Sequence, residues 1–283
     1  MTGRRTSPTV RRRRLGAELR RYRDSAGLTI EQVAERLDCS ASKISRLENG
    51  QIGASPRDVR DMLTIYRVGP AELENLMEVA KGTRQRGWWQ PYGSVLTGAY
   101  VSFEAAAESI RSYEAQCVPG LLQTEEYARA LIQAVRTDLT PEEIDSRIRV
   151  RMARQLLLTQ SDPVGFWCVL DEAVLARAIG GPDVMRRQLE HLAAMAERPN
   201  VTLQILPFAA GAHAGLEGSF VTLRFPGDAD PDTVYVVMAT GGVFQEKPDE
   251  LDRYTTIFEL LQKLSLPPDD STALLSRLAK EPT

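Results

Sequence analysis

The residues of this 283-residue chain best suited to chemistry by type and spacing are Ser42, Lys43, Ser45 and Arg46. They share the outward face of a short helical segment whose Ile44 and Leu47 point inward. With Ala41, Ser42 and Ser45 all small, such a helix can sit deep in a groove about 12 Å wide. Arg46 can address a guanine edge bidentately, whereas Lys43 suits a phosphate as a point charge. Two caps precede them. Thr29 stands three residues before Gln32, which is the spacing of a capping box, and Ser40 can start the next helix. The amides near Thr29 and Ser40 can hold phosphate. The chemistry these residues fit is nucleic-acid recognition.

Catalytic arrangements are less well supported. Asp171-Glu172 is an adjacent acidic pair beside an expected strand end, and burial that separated their pKa values would suit acid–base work. Neighbouring residues usually diverge, however, and Glu172 also suits a helix start. Ser219 lies in Gly215-Leu216-Glu217-Gly218-Ser219-Phe220, which lacks the GxSxG pattern. The loop from Gly211 to Gly218, with His213, lacks the lysine of a phosphate-binding GxxxxGK[ST] motif. Three separated cysteines and two histidines give no metal-ligand spacing. The reading is a protein that is not an enzyme and uses no cofactor or metal.

Several elements must position the recognition residues. From Arg13 onward, Leu15, Leu19, Tyr22 and Ala26 recur at helical steps, and Gly27 suits the C-cap. Ile30, Val33, Ala34 and Leu37 form the inward stripe of a second, short helix. Asp38-Cys39-Ser40 is a tight connection to the third, which Asn49-Gly50 closes. Further helices are expected from Pro56 to Tyr66 and from Pro70 to Ala80. Two short helices joined by about three residues, the second with a basic outer face, are the sequence form of a helix-turn-helix. Residues 1–12, including Arg11 and Arg12, read as a flexible basic arm. Together with Arg13 and Arg14 they can follow phosphates or enter an adjacent minor groove.

At this point the residues resemble a known family. Leu28-Thr29-Ile30-Glu31-Gln32-Val33-Ala34, followed by Ser42-Lys43-Ile44-Ser45-Arg46-Leu47-Glu48-Asn49-Gly50, is similar to lambda-repressor-type (Cro/C1-type, XRE-type) helix-turn-helix domains over residues 13–80. The resemblance implies a five-helix domain, a structural role for Glu48, and base reading by the outward residues of the third helix. Ala41 departs from the polar residues common at that position and leaves only a thymine methyl contact.

Charge is divided unevenly. Residues 1–86 hold 18 Lys and Arg against 11 Asp and Glu, a balance of +7, and residues 87–283 hold 17 against 27, a balance of −10. Arginine outnumbers lysine 30 to 5, which reflects coding bias as readily as nucleic-acid binding, so placement carries the argument. No apolar run approaches the ~20 residues that span a bilayer, and charges interrupt any export signal after the N-terminal arginines. A cytoplasmic protein is expected. Residues 13–81 read as the helix-turn-helix domain, 82–94 as a linker followed or occupied by Trp88-Trp89, and 95–283 as an acidic α+β domain.

Within that domain Val101 to Gln116 reads as a helix, with others following Thr124, from Pro141, and from Pro182 to Glu197. The helix from Pro141 carries Arg147, Arg149, Arg151 and Arg154 on what reads as a solvated or salt-bridged face. Strands are expected at 164–170, 201–206, 219–225, 233–238 and 242–245, and helices at 248–264 and 271–279. That order suggests a mostly antiparallel sheet with helices grouped ahead of and behind it. Val118-Pro119-Gly120-Leu121-Leu122-Gln123-Thr124 with Tyr127-Ala128-Arg129, Arg154-Gln155, Gln188-Leu189 and Leu206-Pro207-Phe208 resemble a conserved C-terminal domain of high-GC Gram-positive bacteria. That resemblance implies a transcriptional regulator of antitoxin-like kind, often with a small partner protein. Two functions stay open. One is a homodimeric regulator of double-stranded DNA whose acidic domain dimerises, senses or binds a partner. The other is an antitoxin-like interaction protein whose DNA binding is autoregulatory.

Overall fold

The computed structural model describes residues 8–82, 100–226, 232–238 and 241–281, which fall into two compact units divided between residues 91 and 92. The linker expected at 82–94 lies outside the described residues except for Gly82, as do Trp88 and Trp89.

The first unit has the expected five helices: α1 (Pro8–Ser25), α2 (Ile30–Arg36), α3 (Ala41–Glu48), α4 (Pro56–Ile65) and α5 (Pro70–Gly82). Leu15, Leu19, Val33, Ile44, Val59 and Leu63 are sealed in its core. Side-chain caps start three of the helices: Thr29 with Gln32 in a reciprocal box, Ser40, and Ser55. One boundary differs. α1 starts at Pro8 rather than Arg13, so Arg11 and Arg12 lie on a helix and not on a flexible arm. Arginine is a good helix former and proline is tolerated at a first turn, so a missing apolar stripe does not mean a missing helix.

A buried ion pair joins α1 to α3. Arg23 Nε and Nη2 donate to the two carboxylate oxygens of Glu48 at 2.7 and 3.0 Å, and Nη1 donates to the Leu28 carbonyl at 2.8 Å. Glu48 is therefore structural, as the family resemblance implied. The same helices meet backbone to backbone: a Cβ on Gly16 would lie 2.4 Å from the Glu48 carbonyl oxygen.

The second unit is α+β, with a six-stranded mixed, mostly antiparallel sheet. Its strands are β1 (Ser109–Glu114), β2 (Gly165–Asp171), β3 (Val201–Leu206), β4 (Phe220–Arg224), β5 (Thr233–Met238) and β6 (Gly241–Gln245), in the order β3-β2-β1-β4-β5-β6. β1, β2 and β3 run parallel, and the rest pair antiparallel. Parallel neighbours need crossovers, which corrects the expected grouping of helices outside the sheet. α7 (Glu125–Val135), α8 (Pro141–Arg154) and α9 (Leu156–Thr159) join β1 to β2, and α10 (Glu172–Ala176) and α11 (Pro182–Ala196) join β2 to β3. α12 (Pro248–Leu264) packs Phe258 and Leu261 onto Tyr113, Val169, Phe220 and Val234 of one sheet face. The turn into α13 (Pro268–Leu278) covers the outer edge of β3: the Leu266 amide donates to the Ile205 carbonyl, and the Ile205 amide to Ser271 Oγ.

The helix expected over 101–116 is broken. α6 (Tyr100–Ala106) ends early, and the Glu108 amide donates to the Arg224 carbonyl at 2.8 Å, opening the β1–β4 ladder. Ile110 and Tyr113 matched a helical period only because both faces of this central strand are buried. Of the two readings of the arginine face of α8, the salt-bridged one holds at Arg154. Arg154 grips Glu104 of α6 with two 2.7 Å bonds, and Glu104 is 1% exposed.

Strand alternation places Ser112 and Glu114 together on the face opposite Tyr113. Ser112 Oγ donates to Glu114 Oε1 at 2.8 Å, yet burial outweighs this bond and the one from Ser219 and pushes the carboxyl up to about 7. A carboxyl raised in the fold binds its proton more tightly there than in the unfolded chain. Stability therefore falls as pH rises from about 4.5 to about 7 and is level above that.

Two outcomes are expected. Glu48→Ala strips the buried Arg23 guanidinium of its bidentate partner, leaving it as counter-charge only the exposed Asp24 carboxylate at Nη1, and costs about 3 kcal/mol, whereas Glu48→Ala with Arg23→Met recovers much of the loss; urea unfolding followed by circular dichroism measures both. Glu114→Gln removes a decline on the order of 2–3 kcal/mol between pH 5 and 7.5. Parallel pH profiles of the variant and parent would contradict this assignment.

Candidate nucleic-acid interface

The turn between α2 and α3 sets the geometry of the interface. Asp38 takes a left-handed conformation with φ 48°, and the Cys39 amide returns to the Ala34 carbonyl at 2.9 Å. Ser40 then caps α3 by accepting from the Lys43 amide at 3.2 Å. The amides of Ala41 and Ser42 are left without an internal acceptor. At α2, Thr29 Oγ1 accepts from the Gln32 amide and Gln32 Oε1 accepts from the Thr29 amide. Both side chains are exposed, with Thr29 Oγ1 and Gln32 Oε1 already serving the box.

The expected residues of α3 separate into two sets. Ser40, Ser42 and Arg46 are exposed. Arg46 Nε reaches back to the Ser42 carbonyl at 3.4 Å, which lays the guanidinium along the helix and gives it no acidic partner among the described residues. Ala41 and Ser45 are half-buried: Ala41 rests against the core, and Ser45 Oγ accepts from Asn49 Nδ2 at 3.3 Å. Lys43 is drawn away from the outer face, with Nζ 3.0 Å from Asp58 of α4. Its ammonium and the Ser55 cap hold the Asp58 carboxyl below its ordinary range, although burial opposes them. Asn49, exposed one turn beyond Ser45, is the C-cap of α3, as the Asn49-Gly50 pair suggested.

Arg11, Arg12, Arg13 and Arg14 are half-buried on α1. Gly50, with φ 65°, sits so close beneath this segment that a Cβ there would lie 2.8 Å from the Arg13 Cα. The start of α1 is thereby held against the residue that follows α3. Burial lowers the Arg12 guanidinium from its ordinary value.

In the second unit, the ends of the parallel strands gather residues that no motif connected. His213 Nε2 lies 3.7 Å and the Tyr113 hydroxyl 3.5 Å from Asp171 Oδ2, while Asp171 Oδ1 caps α10 through the Ala173 amide. The Gly215 amide donates to His213 Nδ1, and a Cβ on Gly215 would fall 2.5 Å from the Tyr113 ring. Glu172 diverges from Asp171 and accepts from the Phe208 amide at 2.7 Å. Ser219 Oγ accepts from the Ala115 amide. These bonds fasten the 207–219 loop across the strand ends. Asp171 and His213 come together only through the fold, 42 residues apart, so sequence gave no signal for their meeting.

Among the described residues no helix is long and apolar enough to cross a membrane, and no group of His, Cys, Asp and Glu could hold a metal ion. Residues 14–76 match the family model described as a helix-turn-helix domain, which implies DNA binding. Residues 97–277 match the model described as a domain of unknown function, DUF5753. No curated protein and no solved structure matches the chain. With most of its length in that second match, the chain belongs to the DUF5753 family, carrying an N-terminal helix-turn-helix domain.

Proposed function

We propose that this protein is a lambda-repressor-like, sequence-specific transcriptional regulator that reads the major groove through residues 41–48. The observation that supports this reading is the division of α3. Ile44, Leu47 and Glu48 are locked into the core, while Arg46 and Ser42 are exposed, with no acidic side chain among the described residues to neutralise the guanidinium. A rigid helix with a free arginine fork suits bidentate readout of a guanine. The unbonded Ala41 and Ser42 amides and the arginines at the start of α1 suit phosphate contacts, which set register without reading sequence. A homodimer would place two copies of α3 in successive major grooves about 34 Å apart.

The acidic unit, with its share of the −10 carried by residues 87–283, supports the second reading as well. In that reading it masks a small basic partner protein, as an antitoxin does, and DNA binding is autoregulatory. Pull-down from the native cytoplasm separates the two: a stoichiometric small basic protein favours the second reading, and recovery of the regulator alone favours the first.

Arg46→Ala is expected to cost about 1–3 kcal/mol on the best site and to relax preference at one base position, read by selection of bound sequences from a random pool. Equal weakening on every sequence would reduce Arg46 to a phosphate contact. Lys43→Ala, which loses a partner already shared with Asp58, is expected to lower the slope of log K against log salt by less than one full phosphate contact. A full-unit change would mean that Lys43 leaves Asp58 on binding DNA.

A further inference from the structure

The sheet face under α12 extends beyond what the helix covers. By register, Val169, Tyr113 and Phe220 form one row across β2, β1 and β4, and Phe258 of α12 packs on it. One pleat repeat toward the starts of the parallel strands, on the same face, lies the row Trp167, Arg111 and Thr222. The row after that is Gly165, Ser109 and Arg224.

Arg111 is half-buried, and its guanidinium stands 5.7 Å over the Phe258 ring. Its side chain has no hydrogen bond and no acidic partner among the described residues. Thr222, beside it on β4, could accept from it, yet the Thr222 hydroxyl has no partner. Arg224, one row on, is already paired with Asp232 at 3.2 Å. A planar cation therefore lies on the sheet with an aromatic ring beside it and no counter-ion among the described residues.

Trp167, its neighbour on β2, is held in one orientation. The indole stands edge-on to Phe258 with ring centres 6.4 Å apart, and its Nε1 donates to Gln204 Oε1 at 2.9 Å. Gln204 is itself buried and fixed, because its Nε2 donates to the Leu266 carbonyl at 2.9 Å. The indole is nonetheless 36% exposed. At Gly165, two residues before it on the same face, a Cβ would meet nothing nearer than the Ser109 Cβ at 3.7 Å. No side chain fills the strand face beside the indole, and that shelf is one pleat repeat long, about 7 Å, the length of a single ring.

A guanidinium fork matches a carboxylate, and an indole already fixed takes a planar ring with little ordering left to do. We propose that Arg111 and Trp167, with Gly165 as the floor, bind a small aromatic carboxylic acid. Its carboxylate meets the guanidinium and its ring lies against the indole. The site lies in the DUF5753 unit and does not depend on how α3 meets DNA.

The test is titration of the full chain with benzoate at constant ionic strength, and separately with acetate, which lacks the ring, and benzyl alcohol, which lacks the charge. Benzoate should raise Tm saturably, as a ligand of the folded state does. It should also shift the indole N–H resonance that Trp167→Phe removes from the spectrum. Acetate and benzyl alcohol should each bind at least about tenfold more weakly, equivalent to about 1.4 kcal/mol. Arg111→Gln should abolish the response, as should Gly165→Val, which fills the shelf with a good strand former. Arg46→Ala should keep it, which separates this site from anion binding at the helix-turn-helix. No saturable response to benzoate, equal affinity for acetate, or a response retained in Arg111→Gln would overturn the proposal. If Arg111→Gln melts well below the parent, Gly165→Val decides: a parent-like melt without a benzoate response supports the site, and an unchanged response overturns it.

Discussion

Each unit is organised around a carboxylate removed from water and met by an arginine. Glu48 would be prohibitively costly in the helical core were Arg23 not set against both its oxygens. The same guanidinium holds the Leu28 carbonyl, so α1, the turn before α2 and the end of α3 are fixed by one side chain. The outward face of α3 can be polar and unencumbered because its inward face is held by charge as well as by Ile44 and Leu47.

In the second unit Glu104 and Arg154 play the corresponding part, joining α6 to α8. Arg23 meets Glu48 and, at its exposed edge, Asp24, whereas Arg154 spends its two bonds on Glu104. Beside this pair the chain has packed the amides of Gln123, Gln155 and Gln188, which satisfy backbone groups without contributing charge. They hold a proline- and glycine-containing segment that could not otherwise remain ordered beside α8.

The 207–219 loop shows the opposite use of polar residues. His213, Asp171, Tyr113, Glu172 and Ser219 have side chains that elsewhere do acid–base or nucleophilic work, yet their bonds run to backbone amides and to one another. His213 has 6% of its side chain exposed and accepts at Nδ1. These contacts fasten the loop where the parallel strands end.

Sequence alone determined the local elements. Thr29 and Ser40 announced helix starts because capping acts within three residues, Pro56 and Pro141 because proline suits a first turn, and the stripe of Leu15, Leu19, Ile44 and Leu47 marked one side of each helix as core. It also separated a basic region from an acidic one. What it misjudged turned on distant partners. The Val101–Gln116 period looked helical because a central strand buried on both faces loses its alternation, and only the β4 and β2 ladders made residues 109–114 a strand. Asp58 reaches Lys43 only because α4 comes to rest beside α3, and Glu104 meets Arg154 only because α6 packs on α8. Helical period and capping are short-range and written in neighbouring residues. Which charges meet depends on where remote segments come to rest, and that only the tertiary structure decided.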